Sequence, residues 1–177
     1  MPHKVGPVLI DAEAIARCVR AVGAELADAY ADREPVVVAV MKGCVLFLAD
    51  LVRAWPGPMD LEFVTATSYR GTQAGEVRLT VPDGLAVRVA GRPTVVVDAV
   101  FDTGATLAAV CRALGEMGAD EVRSVVLLRK RRLGVAPPDF EPDWVGFEIE
   151  DRFVVGYGLD LGGRYRNLPH VAALQEG

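Results

Sequence analysis

The 177-residue chain is short of several things, and each shortage removes a class of function. It has two histidines, His3 and His170, and three cysteines with no pair at ligand spacing, so a zinc site is not expected. Cys18, Cys44 and Cys111 are odd in number, far apart and set in apolar, helix-like patterns, which reads as reduced core thiols rather than a disulfide framework. No apolar run approaches the roughly 18 to 20 residues that span a bilayer, and Met1-Pro-His-Lys-Val has no apolar h-region. The expectation is a cytoplasmic protein with no membrane partner. Acidic residues outnumber basic ones, 24 to 19. The formal net charge of -5 disfavours a general nucleic-acid binder, which needs a broad basic face, and leaves room only for a local basic cluster. Lysine is scarcest of all, three against 16 arginines, so basic positions default to arginine. Where lysine survives, as at Lys42 and Lys130, a compact point charge rather than a planar fork is implied.

What the chain does have is apolar residues, 51% of the total, with 24% charged. That balance fits one compact domain over residues 1–177. From Asp11 to Tyr30, Ile15, Cys18, Val19, Val22 and Leu26 share one helical face, with Asp11 as N-cap. Val36 to Val40 reads as a fully buried strand. Val45 to Trp55 is helical through Val45, Leu48, Val52 and Trp55, and Leu61 to Thr67 is a strand. Ser68 to Gly75 is polar and glycine-rich, as a mobile loop is. Val77 to Val81 and Ala86 to Val89 alternate like the arms of a hairpin. A second helix face, Leu107, Val110, Cys111, Leu114 and Met117, stops at Gly118. Val122 to Leu128, Trp144 to Ile149 and Phe153 to Tyr157 complete the strands. Buried strands alternating with helices predict an α/β fold: a parallel twisted sheet flanked by crossover helices.

The most informative stretch is Thr94-Val-Val-Val-Asp98-Ala-Val-Phe-Asp102-Thr-Gly-Ala-Thr106. A buried β-branched run delivers the chain into a small-residue loop, and a helix follows at once. Unpartnered N–H groups and the positive end of the helix dipole make such a loop an anion site, with Thr103, Gly104, Ala105 and Thr106 able to wrap a phosphate. Asp98 and Asp102 stand at the same strand end, placed for sugar hydroxyls, a metal or a proton. Asp-Thr-Gly also occurs in aspartic proteases. One copy would require a homodimer, and the helix after Thr106 does not suit an all-β fold. An unliganded structural βα turn is the plainest alternative. Lys42-Gly43, between a buried strand and a helix, suits pyrophosphate or is an ordinary loop. Arg129 to Arg132 is a solvated loop or a nucleic-acid patch, although no aromatics interleave it. Asp160, after Tyr-Gly-Leu, is an acid at a glycine-rich strand end. Phe153 is core by pattern or available to a ring.

The Asp98-to-Thr106 segment resembles the phosphoribosyl-pyrophosphate (PRPP) motif of the type I phosphoribosyltransferases, with Ala99 where the second of two paired acids usually stands. Together with Lys42-Gly43, Ser68-Tyr69, Lys130 and Phe153-Val-Val-Gly-Tyr-Gly-Leu-Asp160, it is similar to the 6-oxopurine branch of that family over nearly the whole chain. The resemblance implies a small hood from N- and C-terminal segments over the sheet, and a homodimer or homotetramer. The implied reaction moves a phosphoribosyl group from PRPP to N9 of hypoxanthine or guanine in purine salvage. A xanthine-preferring enzyme and a PRPP-binding regulator are the alternatives on the same fold. The resemblance makes Asp102 the general base on purine N7 and Thr103 to Thr106 the 5′-phosphate cradle. Asp98 binds ribose hydroxyls directly or through Mg²⁺, and Lys42, Gly43 and Arg166 hold pyrophosphate, the first two through an unusual backbone conformation. Lys130 donates to the 6-oxo group, Phe153 stacks on the ring, the Val154 backbone reads its edge, and Asp160 ligates a second Mg²⁺. Ser68 and Tyr69 head a lid. Asp102 and Lys130 are expected at opposite ends of one flat heterocycle, and Ala99 implies weaker PRPP binding.

Overall fold

The computed structural model describes residues 4–68, 77–131 and 140–175. Its elements in chain order are β1 (Lys4–Ile10), α1 (Ala12–Ala29), β2 (Val36–Met41), α2 (Val45–Ala54), β3 (Asp60–Ser68), β4 (Val77–Thr80), α3 (Leu85–Val89), β5 (Pro93–Phe101), α4 (Ala105–Glu116), β6 (Glu121–Arg131), β7 (Trp144–Glu150), β8 (Val154–Val155) and β9 (Val171–Gln175). A six-stranded sheet runs in the order β4-β3-β2-β5-β6-β7. Strands β3, β2, β5, β6 and β7 are parallel, and β4 is antiparallel at one edge. A separate antiparallel sheet, β1-β9-β8, joins the two ends of the chain and is the expected hood.

Parallel strands covered on both faces carry near-continuous apolar runs, and the valines of β2 and β5 follow this pattern. Val37, Ala39, Val95 and Val97 face α1 and α2, while Val36, Val38 and Val96 face α3 and α4. Helix α1 begins where expected: the Asp11 side chain accepts a 2.7 Å hydrogen bond from the Ala14 N–H, and Ile15, Val19, Val22 and Leu26 are buried. Helix α4 buries Leu107, Val110 and Leu114, and the chain turns at Gly118 with φ +90°. The three cysteines are free thiols, Cys44 fully buried and the other two half-buried.

The course of the chain fixes where a ligand can sit. It runs outward from β2 through α2 to β3, then returns to place β5 on the other flank of β2. The loops leaving β2 and β5 therefore diverge to opposite faces and open a crevice at the carboxyl ends of the strands, the usual ligand position in an open α/β sheet.

Three expectations need correction. Residues 85–89 form helix α3, not a hairpin arm, and β4 pairs with β3 instead, Ser68 opposite Val77. Five residues of alternation cannot separate the two periods; Leu85 and Val89, four apart, are buried while Val87 is 83% exposed, the signature of a short amphipathic helix. The strand over Phe153 to Tyr157 contracts to Val154–Val155, because Gly156, Tyr157 and Gly158 all have positive φ (+99°, +47° and +94°) and cannot continue an extended ladder. Helix α2 is turned from its predicted face: Phe47, Leu48 and Leu51 are its buried residues, while Val45 and Val52 are only half-buried.

Candidate active site

Strand β5 ends at Phe101, and Asp102, Thr103 and Gly104 turn the chain into α4. Gly104 makes the turn with φ +80°, a conformation costly for a side chain with a Cβ, and is itself buried. Thr103 and Ala105 are exposed and Thr106 half-buried, so both hydroxyls and the first turn of α4 border the crevice. A small cavity of about 60 Å³ opens there, lined by Asp102, Thr103, Gly104 and Thr106 with Val100, Phe101 and Leu107. Residues 102 to 104 and 106 thus line one cavity from a single short stretch of chain.

The two acids of this segment differ sharply. Asp98 lies inside β5, accepts a 2.7 Å hydrogen bond from the Ala99 N–H, and is pushed up to about 7 by burial, against which that hydrogen bond acts. Asp102 is past the strand end with its side chain 39% exposed, and its Oδ2 lies 3.8 Å from Lys130 Nζ. Strand register explains the meeting: Phe101 on β5 is opposite Arg129 on β6, so the next residue on each strand shares one edge of the sheet. Asp102 and Lys130 are therefore side by side rather than a ring's width apart.

Lys42 and Gly43 leave β2 on the other side of the crevice, Lys42 exposed and Gly43 half-buried. The Met41–Lys42 peptide bond is cis, the unusual backbone conformation expected at this point. The loop is held from two sides. A Cβ on Gly43 would meet Ala99 Cβ at 3.5 Å, and one on Gly158 would come within 2.3 Å of the Gly43 carbonyl oxygen. Ala99, in place of the usual acid, is consequently buried beneath this loop in the α1/α2 core.

From the hood side, Phe153 is 53% exposed and therefore not core; it lines a cavity of about 560 Å³ with Pro7, Arg152, Leu161 and Leu174. Val154 is buried in β8 opposite Ala173. Asp160 and Arg166, expected to serve separately, are paired: Arg166 Nη2 lies 2.6 Å from Asp160 Oδ1, and Nη1 donates to the Gly158 carbonyl at 2.5 Å. Asp160 Oδ2 also accepts from the Gly163 N–H at 2.6 Å. Ser68 closes β3, and the rest of the expected lid, from Tyr69 onward, lies outside the described residues, as does Arg132.

A small-residue loop opening α4 at a sheet switch point stands here with an acid and a lysine at adjacent strand ends. Comparison with known proteins decides the family: residues 9–161 match the phosphoribosyl transferase domain. The chain belongs to the phosphoribosyltransferase family. It is 35% identical over 175 residues to a hypoxanthine-guanine phosphoribosyltransferase of Bacillus subtilis, covering 99% of this chain and 96% of that protein. A hypoxanthine-guanine-xanthine phosphoribosyltransferase of Tritrichomonas foetus is 32% identical over 169 residues, 96% of this chain and 91% of that one. Among solved structures, a hypoxanthine-guanine phosphoribosyltransferase of Bacillus anthracis superposes with a TM-score of 0.87 at 30% identity, covering 99% of this chain and 100% of that one. Among the described residues of this phosphoribosyltransferase, no helix is long and apolar enough to cross a membrane.

Three residues in and around this site escaped the sequence reading. Asp151 Oδ1 lies 3.3 Å from Lys130 Nζ. Tyr157 donates a 2.6 Å hydrogen bond to Asp50 on α2; burial first, and then this bond, raise the phenol far above its usual range. Gly158 seats the hood against the Lys42–Gly43 loop. Only Gly158 had a local signal, its place in a Gly-Tyr-Gly run; the other two depend on which strands become neighbours.

Proposed function

We propose that this phosphoribosyltransferase transfers the phosphoribosyl group of PRPP to N9 of a 6-oxopurine, hypoxanthine or guanine, with release of pyrophosphate in purine salvage. The observation that carries the reading is the Asp102–Lys130 pair beside the phosphate loop. N7 and the 6-oxo oxygen occupy the same edge of a purine. A carboxylate and an ammonium 3.8 Å apart can therefore face both atoms at once, Asp102 accepting the N7 proton as N9 attacks and Lys130 donating to O6. Adenine presents an amino group at that position, leaving two donors facing each other, so the pair also accounts for selectivity.

The remaining roles follow the same geometry. Thr103, Gly104, Ala105 and Thr106 cradle the 5′-phosphate, and Asp98 receives the ribose hydroxyls. Lys42, Gly43 and Arg166 hold pyrophosphate, with the Arg166–Asp160 pair parting to admit it. Phe153 stacks on the base, the Val154 backbone reads its edge, and Ser68 and Tyr69 head the lid that keeps water from the oxocarbenium-like transition state. Mg²⁺ is the fitting ion: the donors are the hard oxygens of Asp98 and Asp160, and the described residues contain no group of three ligating side chains. Such a set suits an ion that arrives with phosphate oxygens and water. When bound, it neutralises charge on pyrophosphate. The working form is a homodimer or homotetramer.

The test is to mix the protein with Mg²⁺ and PRPP and supply hypoxanthine, guanine, xanthine, adenine or uracil separately. IMP and GMP should form and AMP should not. Turnover of xanthine alone would transfer the reading to that base, and no turnover of any base would favour a PRPP-binding regulator.

A further inference from the structure

We propose that Asp151 is a positioning residue for the purine subsite, acting through Lys130; the inference rests on the assignment of Lys130 to the 6-oxo group. Lys130 lies on β6, the strand between β5 and β7, and is approached by a carboxylate from each side. Asp102 comes from the β5 end and Asp151 from the turn directly after β7. The register sets this up: Lys130 is opposite Ile149 and Arg131 opposite Glu150, so Asp151, two residues past Ile149, leaves β7 on the side of the sheet that Ile149 faces, within diagonal reach of the lysine.

That turn is tied in place. The Arg152 N–H donates to the Glu150 carbonyl at 2.7 Å, a three-residue turn with Asp151 at its apex. The Arg152 Nε donates to Glu150 Oε2 at 2.8 Å, closing the same turn through side chains.

The two carboxylates hold the ammonium unequally. Asp151 Oδ1 is within hydrogen-bond distance at 3.3 Å, whereas Asp102 Oδ2 at 3.8 Å is beyond it. The lysine side chain is only 13% exposed, so its head group has little water to draw on. Nζ carries three donors on a flexible stem and goes where acceptors take it. Drawn by Asp102 alone, it would close to direct contact, occupy the oxygen that must accept the N7 proton, and turn away from O6. Asp151 holds one donor on the far side, which keeps Nζ beside Asp102 without capping it and leaves N–H groups free for the 6-oxo oxygen. Asp151 thus sets the spacing of the base-reading pair while touching no substrate.

The experiment compares steady-state kinetics of the parent with Asp151→Ala, Asp151→Asn and Asp151→Glu, each checked by thermal melting. With Asp151→Ala, KM for hypoxanthine should rise on the order of 10-fold, with a smaller fall in kcat, while KM for PRPP stays within about twofold. Asp151→Glu should recover part of the loss, because it restores a charged acceptor. Should Asp151→Ala fail to fold, Asp151→Asn, which keeps the shape and drops the charge, is read by the same criterion. KM for hypoxanthine within about twofold of the parent in a folded variant, or equal rises in both KM values, would overturn the proposal. A parent protein that turns over no base defeats the functional reading itself, an outcome distinct from an active parent with an indifferent Asp151.

Discussion

The two walls of the crevice are built on different principles. The sheet wall carries its chemistry on side chains at the ends of straight, valine-rich strands: Asp98 and Asp102 on and after β5, Lys130 on β6. The hood wall is held by its backbone. Gly156 N–H donates to the Leu159 carbonyl at 3.0 Å, Tyr157 to Leu168 at 2.8 Å and Gly158 to Arg166 at 2.9 Å, through three consecutive positive-φ residues. The contrast implies that the sheet wall should be sensitive to the identity of a functional group and indifferent to small changes of bulk, whereas the hood should tolerate changed polarity and fail when a Cβ is added.

The largest effect belongs to the sheet wall. Asp102→Asn keeps the size of the side chain and removes the proposed proton acceptor, so kcat should fall by about 10² to 10⁴, the usual weight of general-base catalysis. KM for PRPP and the melting temperature should hardly move. A loss of melting temperature comparable with the loss of rate would mean that Asp102 is structural, and the contrast between the walls would collapse.

Asp98 sharpens the comparison within the sheet wall. Burial holds its carboxyl up to about 7, well above the ordinary aspartate range. Between roughly pH 4 and pH 7 the folded protein keeps a proton that the unfolded chain releases, so folding stability from this group is lost as pH rises through that window, by at most about 4 kcal/mol. In chelator and without ligand, Asp98→Asn should be the more stable protein at pH 7.5, by a margin that shrinks toward pH 4.5, and it should bind PRPP more weakly. Parallel melting curves for parent and variant across that range would show that Asp98 is not held uncharged in the free enzyme. Stability surrendered at a residue proposed to bind substrate is the usual mark of a functional site.

The hood has its own test in Gly158→Ala. Its φ is +94°, and a Cβ there would sit 2.3 Å from the Gly43 carbonyl oxygen, closer than such atoms approach. The variant should lose on the order of 3 kcal/mol of stability and raise KM for PRPP more than KM for hypoxanthine, because the displaced neighbour is the Lys42–Gly43 loop. An equal rise in both KM values would mean that the hood does not act on PRPP through the Lys42–Gly43 loop.

The same contrast explains what could be read from the sequence. The sheet, its helices and the Asp98-to-Thr106 loop were legible because each is a contiguous pattern: β-branched runs, an N-capping Asp11, a glycine that opens α4. Lys130 was legible through the rarity of lysine, although not its distance from Asp102, which follows from the β5–β6 register. The Tyr157–Asp50 bond and Asp151 were not legible, since each joins segments whose proximity is decided by the tertiary fold, and the Arg166–Asp160 pair was not because it depends on how one irregular loop folds back at Leu161 and Arg164. Residues 85–89 misled because β-branched residues alternate there by chance, and burial of Leu85 and Val89 overrode their strand preference.

Ala99 gives the smallest expected effect. A carboxylate that accepts a ribose hydroxyl is worth about 1 to 3 kcal/mol, so Ala99→Asp should tighten PRPP binding. The site works against the gain: Ala99 is 3% exposed beneath Gly43, and its neighbour Asp98 is already desolvated. A second carboxylate must therefore shed water and repel the first, which leaves a net gain of about 1 kcal/mol, roughly a fivefold fall in the PRPP dissociation constant, together with a lower melting temperature. Calorimetric titration of parent and variant with PRPP and Mg²⁺ measures it. An unchanged dissociation constant would mean that Asp98 alone satisfies the ribose hydroxyls, and that the sheet wall of this enzyme needs one acid where its motif ordinarily supplies two.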